Sequence, residues 1–450
     1  MSLAAKDFPL LRRAAGAPLF QSERGTVSAG SFLAAARRLA SGLPAGKPVL
    51  NLCENRLSFA LGFAAAMIAG CRSELSSDRS PARVDELVCR PEAGAILGDR
   101  DAAIGGRRVT LVDPETLFAS AEAEGGFAIP EIAAAWPAAD VHTSGSTGVP
   151  VAHRKPWGAL FARSLAAAAR FGLEPGPASV VGTVPPQHMY GFETTVLLAF
   201  HTPVTSWCGP AFFPRDIAAA LAAMPAPRLL VTTPLQMRAL LDAGLSLPPL
   251  ARVISATAPL DPALAERAET RWQTEVAEIF GATEAGSIAS RITTAGDIWD
   301  AYPGLALGAD EMGEVFVTAP FAGKVPLADA LALIDATRFR LLGRRGDVVK
   351  LGGKRASLAG LNRILTAIEG VEDGVFVAPS DLDADPTARL LAFVVAPGRE
   401  PAAILAALRR EIDPVFLPRR VISLSRLPRN EFGKLNAAGL AALAGPPAGS

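Results

Sequence analysis

His142-Thr143-Ser144-Gly145-Ser146-Thr147-Gly148-Val149-Pro150 packs hydroxyl side chains and glycines into one short loop. Glycine lets backbone N–H groups approach an anion closely, and each Ser or Thr adds a rotatable donor. A polyphosphate is the natural guest for such a loop. Ser/Gly/Thr clusters are also ordinary turns and linkers, and the run by itself leaves both readings open. It is not a Walker A loop: Gly145 and Gly148 are too close together, and no Gly-Lys-Ser/Thr follows.

Working outward, the 450 residues are 50% hydrophobic and 20% charged with a formal net charge of +0. A chain this long suggests two or three domains at roughly 150 residues each. The balanced charge argues against a nucleic-acid partner. Lys6 and Asp7 precede any apolar run, which argues against a secretory leader. The most apolar stretch, Phe59 to Gly70, is too short to cross a bilayer, which takes about 20 residues. It reads as a buried helix, with no membrane insertion. Cys53, Cys71, Cys89 and Cys208 form no Cys-x-x-Cys pair, as expected of reduced thiols in a cytoplasmic protein. His142, His153, His188 and His201 lack metal-binding spacing, and no Gly-x-Ser-x-Gly elbow supports a serine hydrolase.

Apolar runs alternate with Ala-rich helical lengths: strand Pro48 to Leu52, helix Leu57 to Ile68, helix Trp157 to Phe171, then strands Ser179 to Val184, Leu229 to Thr233 and Arg252 to Ser255. This alternation predicts parallel α/β architecture, with ligands at the carboxyl ends of the strands. Near Met312 the pattern changes: Gly313 to Val317 and Thr337 to Leu342 read as antiparallel strands. The tail reads helix 358–369, strand 374–378, strand 390–395, helix 402–412 and strand 420–424, a second domain. The expected fold is therefore α/β: a large N-terminal domain of layered subdomains with a small β-rich region, followed by a small α+β C-terminal domain. The expected boundaries are 1–345 and 346–441, with a disordered tail at 442–450.

Four further segments bear on the loop. Phe280-Gly281-Ala282-Thr283-Glu284 sets a hydroxyl and a carboxylate after an apolar run, suited to Mg²⁺ beside a nucleotide or, alone, to a helix cap. Gly343-Arg344-Arg345-Gly346-Asp347-Val348-Val349-Lys350 is a basic turn that alone reads as a solvated hairpin. Asn430-Glu431-Phe432-Gly433-Lys434 presents a lysine on a glycine turn, and Asp329 alone carries no signal.

The order and spacing of these segments resemble the adenylate-forming superfamily of acyl-CoA synthetases, adenylation domains and luciferases. Thr143, Ser144, Gly145, Ser146, Thr147 and Gly148 look like its phosphate loop, and Ala256-Thr257-Ala258-Pro259 like its adenine-side loop. Gly281, Ala282, Thr283 and Glu284 are similar to its aromatic-Gly-x-Thr-Glu motif, Asp329 to its ribose aspartate, and Arg344 to the arginine of its hinge motif. Gly433-Lys434 looks like its catalytic lysine motif. The likeness implies ATP and Mg²⁺ as cofactors, and a carboxylate that attacks the α-phosphate and expels pyrophosphate. It implies Glu284 on the metal, Lys434 and Thr283 at the reacting groups, and a mobile C-terminal domain that then delivers a thiol.

Two positions depart from that pattern. Val151 stands where the superfamily usually has lysine, leaving His153, Arg154 or Lys155 to supply the charge. Gly346-Asp347 replaces the usual acidic hinge pair.

Pro185-Pro186-Gln187-His188-Met189-Tyr190-Gly191-Phe192 looks like the element bordering the acyl pocket. His188, Tyr190, Gly191 and Phe192 are therefore expected at the acid, although two aromatics at this spacing also suit a core. Glu193 is out of register for an ammonium partner, which favours an acid without an amino group. The wording of these segments is similar to aryl-polyene and xanthomonadin-type pigment ligases, implying a hydroxybenzoate-like acid and an acyl carrier protein. Coenzyme A is the alternative acceptor, and an inactive adenylate-binding scaffold a third reading.

Overall fold

The computed structural model describes residues 6–76, 81–90, 94–100, 103–104, 106–119, 127–143, 151–174, 176–344, 348–351, 354–378 and 389–428. The chain divides into one unit of 1–327 with 333–339, and another of 328–332 with 340–450.

The alternating apolar runs of the first unit form the expected parallel sheet. Val204–Trp207, Ala178–Gly182, Arg228–Thr232, Arg252–Ser255 and Val276–Ala282 lie side by side and parallel. Helices Pro214–Ala223, Pro234–Asp242 and Pro262–Trp272 each open on proline, whose fixed φ and missing N–H suit a first helical turn. Thr233 and Asp261 cap two of them by accepting from Gln236 N and Ala263 N. Ile217, Leu221, Met237, Leu240, Leu264 and Trp272 form one buried layer beside the sheet residues Leu230 and Val253. Strands Pro18–Ser22 and Gly25–Ser28, which the sequence reading passed over, extend this sheet past Val204–Trp207.

A second sheet runs Val151–Pro156, Pro137–Thr143, Ser73–Ser76, Val49–Asn51, Ile96–Gly98 and Thr110–Leu111. Its Pro137–Thr143 and Val151–Pro156 pair as an antiparallel hairpin, so the hydroxyl-glycine loop is the link between them. Helix Arg56–Ile68 is buried along nearly its whole circumference, with Phe59 and Phe63 fully enclosed. A helix that is apolar all round belongs in a core or in a membrane; among the described residues no helix is long and apolar enough to span one.

The chain turns antiparallel at Gly286–Ile292, earlier than the change expected near Met312. A parallel return needs a crossover of a dozen or more residues. The link from Val276–Ala282 to Gly286–Ile292 is a tight turn, so only the antiparallel return fits.

The second unit contains helix Leu358–Thr366, strands Asp373–Val377 and Leu391–Val395, helix Pro401–Glu411 and strand Arg420–Ser423. The first two strands pair antiparallel and the last joins in parallel. Leu361, Leu365, Phe376, Val394, Ile404 and Leu408 make its core. The order matches the reading of the tail from its apolar periodicity.

Candidate active site

Two loops leave the carboxyl ends of neighbouring parallel strands, where an α/β sheet presents ligand-binding backbone. The first follows Arg252–Ser255 and comprises Ala256, Thr257, Ala258 and Pro259, with Thr257, Ala258 and Pro259 exposed. Thr257 has φ 79°. A β-branched residue pays steric strain in the left-handed region, and such outliers gather where function fixes the backbone. Glu278 holds the far end of this loop. Its Oε1 accepts from Leu260 N at 2.9 Å, and its Oε2 accepts from Arg291 Nε at 2.9 Å and Thr293 Oγ1 at 3.2 Å.

The second loop continues Val276–Ala282. Phe280 packs on Trp299 and Phe339 with ring centroids 5.8 and 5.5 Å away. The register shifts between Phe280 and Gly281, and a Cβ on Gly281 would stand 2.8 Å from Gly286 O, so only glycine permits the close approach. Thr283 and Glu284 then form a partly exposed turn.

That turn is gripped from beneath. Lys155 Nζ donates to Glu284 O at 2.7 Å, and Arg163 Nη2 donates to Ala285 O at 3.1 Å. Arg163 Nη1 donates to Ser287 O, while Ser287 donates from N at 3.0 Å, and from Oγ, to Glu193 Oε2. Lys155, Arg163 and Glu193 are each 5% exposed or less. Burial pulls the Lys155 ammonium down to about 8, opposed by Glu193, and burial also lowers Arg163. Sequence reading did not find this grip, beyond naming Lys155 as one of three candidate cations and Glu193 as an acid in the wrong register.

The acyl-side element is tied to the same sheet. His188 caps helix Met189–Phe192, its Nδ1 accepting from Tyr190 N at 3.3 Å. Gly191 lies directly on Pro185 O, leaving no room for a Cβ. Tyr190 and Phe192 both have packing partners within the sheet and its helices. Phe192 is fully buried against Phe59 and Phe63. The Tyr190 hydroxyl donates to Ile254 O at 2.8 Å and Thr232 O at 3.2 Å, so its polar end serves two strand ends. An apolar ring followed by Gly-aromatic suits an acid pocket or a core alike in sequence.

Arg56 fastens the strand ends nearby, donating to Trp207 O, Gly182 O and Val184 O at 2.7 to 3.0 Å and to Thr195 Oγ1 at 2.9 Å. Burial lowers this guanidinium to about 10.

Asp329 opens strand Asp329–Leu333, and Arg344 ends strand Arg338–Arg344. Both belong to the second unit. Thr143 ends its strand. Ser144, Gly145, Ser146, Thr147, Gly148, Gly346, Asp347 and Lys434 lie outside the described residues, as do the side chains of Thr143 and Arg344.

Among the described residues no cluster of three or more His, Cys, Asp or Glu could hold a metal ion by itself. Mg²⁺ takes oxygen ligands, keeps several waters and needs only one or two protein carboxylates when phosphates supply the rest. Glu284 beside Thr283, on a turn at the strand edge, fits a metal held in that way.

A family model described as AMP-binding enzyme matches residues 10–312. The chain is 32% identical over 277 residues to a 4-coumarate--CoA ligase of Rhodobacter capsulatus, an alignment spanning 60% of this chain and 66% of that protein. It is 30% identical over 310 residues to a 4-coumarate--CoA ligase of Halorhodospira halophila, spanning 65% and 73%. The first alignment thus covers just under two thirds of its relative. Among solved structures, O-succinylbenzoate coenzyme A synthetase from Bacillus subtilis, in complex with ATP and magnesium ion, superimposes with a TM-score of 0.80 at 17% identity, over 96% of this chain and 98% of that one. ATP-bound MatB from Rhodopseudomonas palustris gives 0.76 at 20% identity, over 95% and 96%. At these identities the structural likeness is one of fold.

Proposed function

Because the chain belongs to the AMP-binding enzyme family, we propose that it joins a carboxylic acid to a thiol in two steps. ATP first activates the acid as an acyl-adenylate with release of pyrophosphate. The phosphopantetheine thiol of an acceptor then takes the acyl group and releases AMP. The observation that carries this reading is the pair of loops at adjacent strand ends: a strained Thr257 beside a fixed Thr283-Glu284 turn.

Negative charge accumulates at the α-phosphate during the first step, so catalysis rests on positioning and electrostatics. Mg²⁺ neutralises phosphate charge when bound; Glu284 would hold it, with Thr283 next to it. Ala256, Thr257, Ala258 and Pro259 would border the adenine, Gly281 and Ala282 the nucleotide. Thr143, Ser144, Gly145, Ser146, Thr147 and Gly148 would donate to phosphates, Asp329 would accept from ribose hydroxyls with Arg344 nearby, and Lys434 would bridge acid and nucleotide. His188 and Gly191 would border the acid. For the second step, rotation of the second unit would replace Lys434 with the arriving thiol.

For the acid we propose an aromatic, hydroxybenzoate-like compound. The resemblance to pigment-pathway ligases supports it, and the relatives named for 4-coumarate also act on an aromatic hydroxy acid. For the acceptor we propose an acyl carrier protein. Coenzyme A is the second reading, because both relatives carry it in their names. Pyrophosphate exchange into ATP across benzoates, cinnamates and fatty acids tests the first step: exchange with none of them would return the scaffold reading. Thioester yield with coenzyme A against a phosphopantetheinylated carrier decides the acceptor.

A further inference from the structure

The turn from Glu284 to Ser287 is held by three buried charged side chains that come from three separate elements. Lys155 lies on strand Val151–Pro156, Arg163 on helix Trp157–Phe171 and Glu193 at the start of the π-helical segment Glu193–Leu197. Each residue of the turn is engaged. Glu284 O and Ala285 O accept from Lys155 and Arg163, Ser287 O accepts from Arg163, and Ser287 N and Oγ donate to Glu193. Gly286 sits at φ 79° directly over Glu193 Oε1, where a Cβ would collide with the carboxylate.

Burying three ions is unfavourable unless each is paired and hydrogen-bonded. Here two cations and one anion surround a single turn, and most of their hydrogen bonds to it end on its backbone. A network serving only packing has no need to converge on four consecutive peptide groups. The same arrangement bears on Val151. Of the basic residues that follow the loop, Arg154 turns its guanidinium to Asp140, 3.0 and 3.1 Å away. Lys155 lies on the opposite face of the hairpin, paired with Ala139 while Arg154 pairs with Asp140, and reaches the turn.

We infer that Lys155, Arg163 and Glu193 form a positioning device that fixes where the Glu284 carboxylate meets the Mg²⁺-nucleotide, with Lys155 the basic residue this chain commits to that turn. The inference rests on the reading of Glu284 as the metal's carboxylate. It also gives Glu193 a task unconnected with the acid: it fixes Ser287 and balances two buried cations.

Two readouts test it on the full-length protein. One is the Mg²⁺ concentration for half-maximal pyrophosphate exchange at saturating ATP. The other needs no turnover: the calorimetric Kd for Mn²⁺ in the presence of α,β-methylene-ATP. Losing one hydrogen bond made by a charged group should raise both about 10-fold in Lys155→Met, with Lys155→Arg recovering most of the loss. Unchanged values in a folded Lys155→Met, whatever its melting temperature, would overturn the inference. Should that variant not fold, Ser287→Ala is read instead. It removes only the hydroxyl bond to Glu193, so a rise of about 3-fold supports the inference and no rise overturns it. Glu284→Gln separates the two levels. If it moves both readouts while Lys155→Met moves neither, the inference alone falls; if Glu284→Gln moves neither, the metal assignment falls and the inference with it.

Discussion

The two faces of the hairpin that flanks the hydroxyl-glycine loop handle charge in opposite ways. On one face arginines meet a carboxylate: Arg154 grips Asp140 with two bonds and Arg72 reaches the same carboxylate at 2.8 Å, while His142 Nε2 lies 2.5 Å from Glu74 Oε2. On the other face Lys155 is buried and ends on a peptide carbonyl of a distant turn. The first arrangement satisfies its own ions and holds the sheet together. The second leaves a cation dependent on a segment 129 residues away, so its geometry is coupled to that segment's. Closed ion pairs stabilise, and an ion that ends on backbone positions.

The largest effect should come from a lysine proposed to touch the reacting groups. Lys434→Ala should slow pyrophosphate exchange about 10²–10³-fold, the scale of one preorganised electrostatic contact, while transfer from preformed acyl-AMP survives. Equal damage to both half-reactions would refute a role for Lys434 specific to the first step.

Asp140→Asn probes the closed face. It leaves Arg72 short of its carboxylate, and should lower unfolding free energy in urea by about 3 kcal/mol. The Mg²⁺ half-saturation should stay within about 2-fold of the original, since no charged-group bond to the turn is lost. A shift as large as that of Lys155→Met would erase the distinction between the faces.

His201 offers a third case, a buried base whose Nδ1 lies 2.5 Å from the neutral Ser164 Oγ. Burial holds this ring down at about 3, well below the ordinary 6.5. Because the folded value is the lower one, its contribution is complete above about pH 6.5 and is lost as pH falls toward 3. Between pH 7 and pH 5 the urea-derived stability should fall by about 2 kcal/mol from this residue, and His201→Gln should flatten that slope. An unchanged slope would show that the ring is already charged.

Arg154→Ala should matter least. Its side chain is 60% exposed, and such pairs contribute about 1 kcal/mol or less, with the effect shrinking further in high salt. A larger loss would mean that the Asp140 cluster acts as one network.

The parallel sheet was legible because each strand and helix announces itself through a period of two or of about 3.6 residues, set by near neighbours. The tail was legible for the same reason: Leu361, Leu365, Ile404 and Leu408 recur at helical spacing and fall in one core. The antiparallel return at Gly286 was misplaced because its signal is a short turn rather than a run of residues. The contacts of Phe192 with Phe59 and Phe63 were not legible, because an aromatic after glycine looks alike whatever it packs on. The two loops were singled out as motifs, but nothing local marks Thr257 as left-handed or Ser287 as Glu193's partner.

Sequence by itself determined the layered α/β plan and the order of the segments that point to a nucleotide. Both follow from residue type and short-range spacing, which survive without coordinates. Only the tertiary structure decided which buried ions stand together: Lys155, Arg163 and Glu193 under Glu284, and Arg154 with Asp140. The reason is physical. Desolvation and charge pairing depend on what folds against a residue from far along the chain, and one residue along a strand changes the face on which a charge is buried.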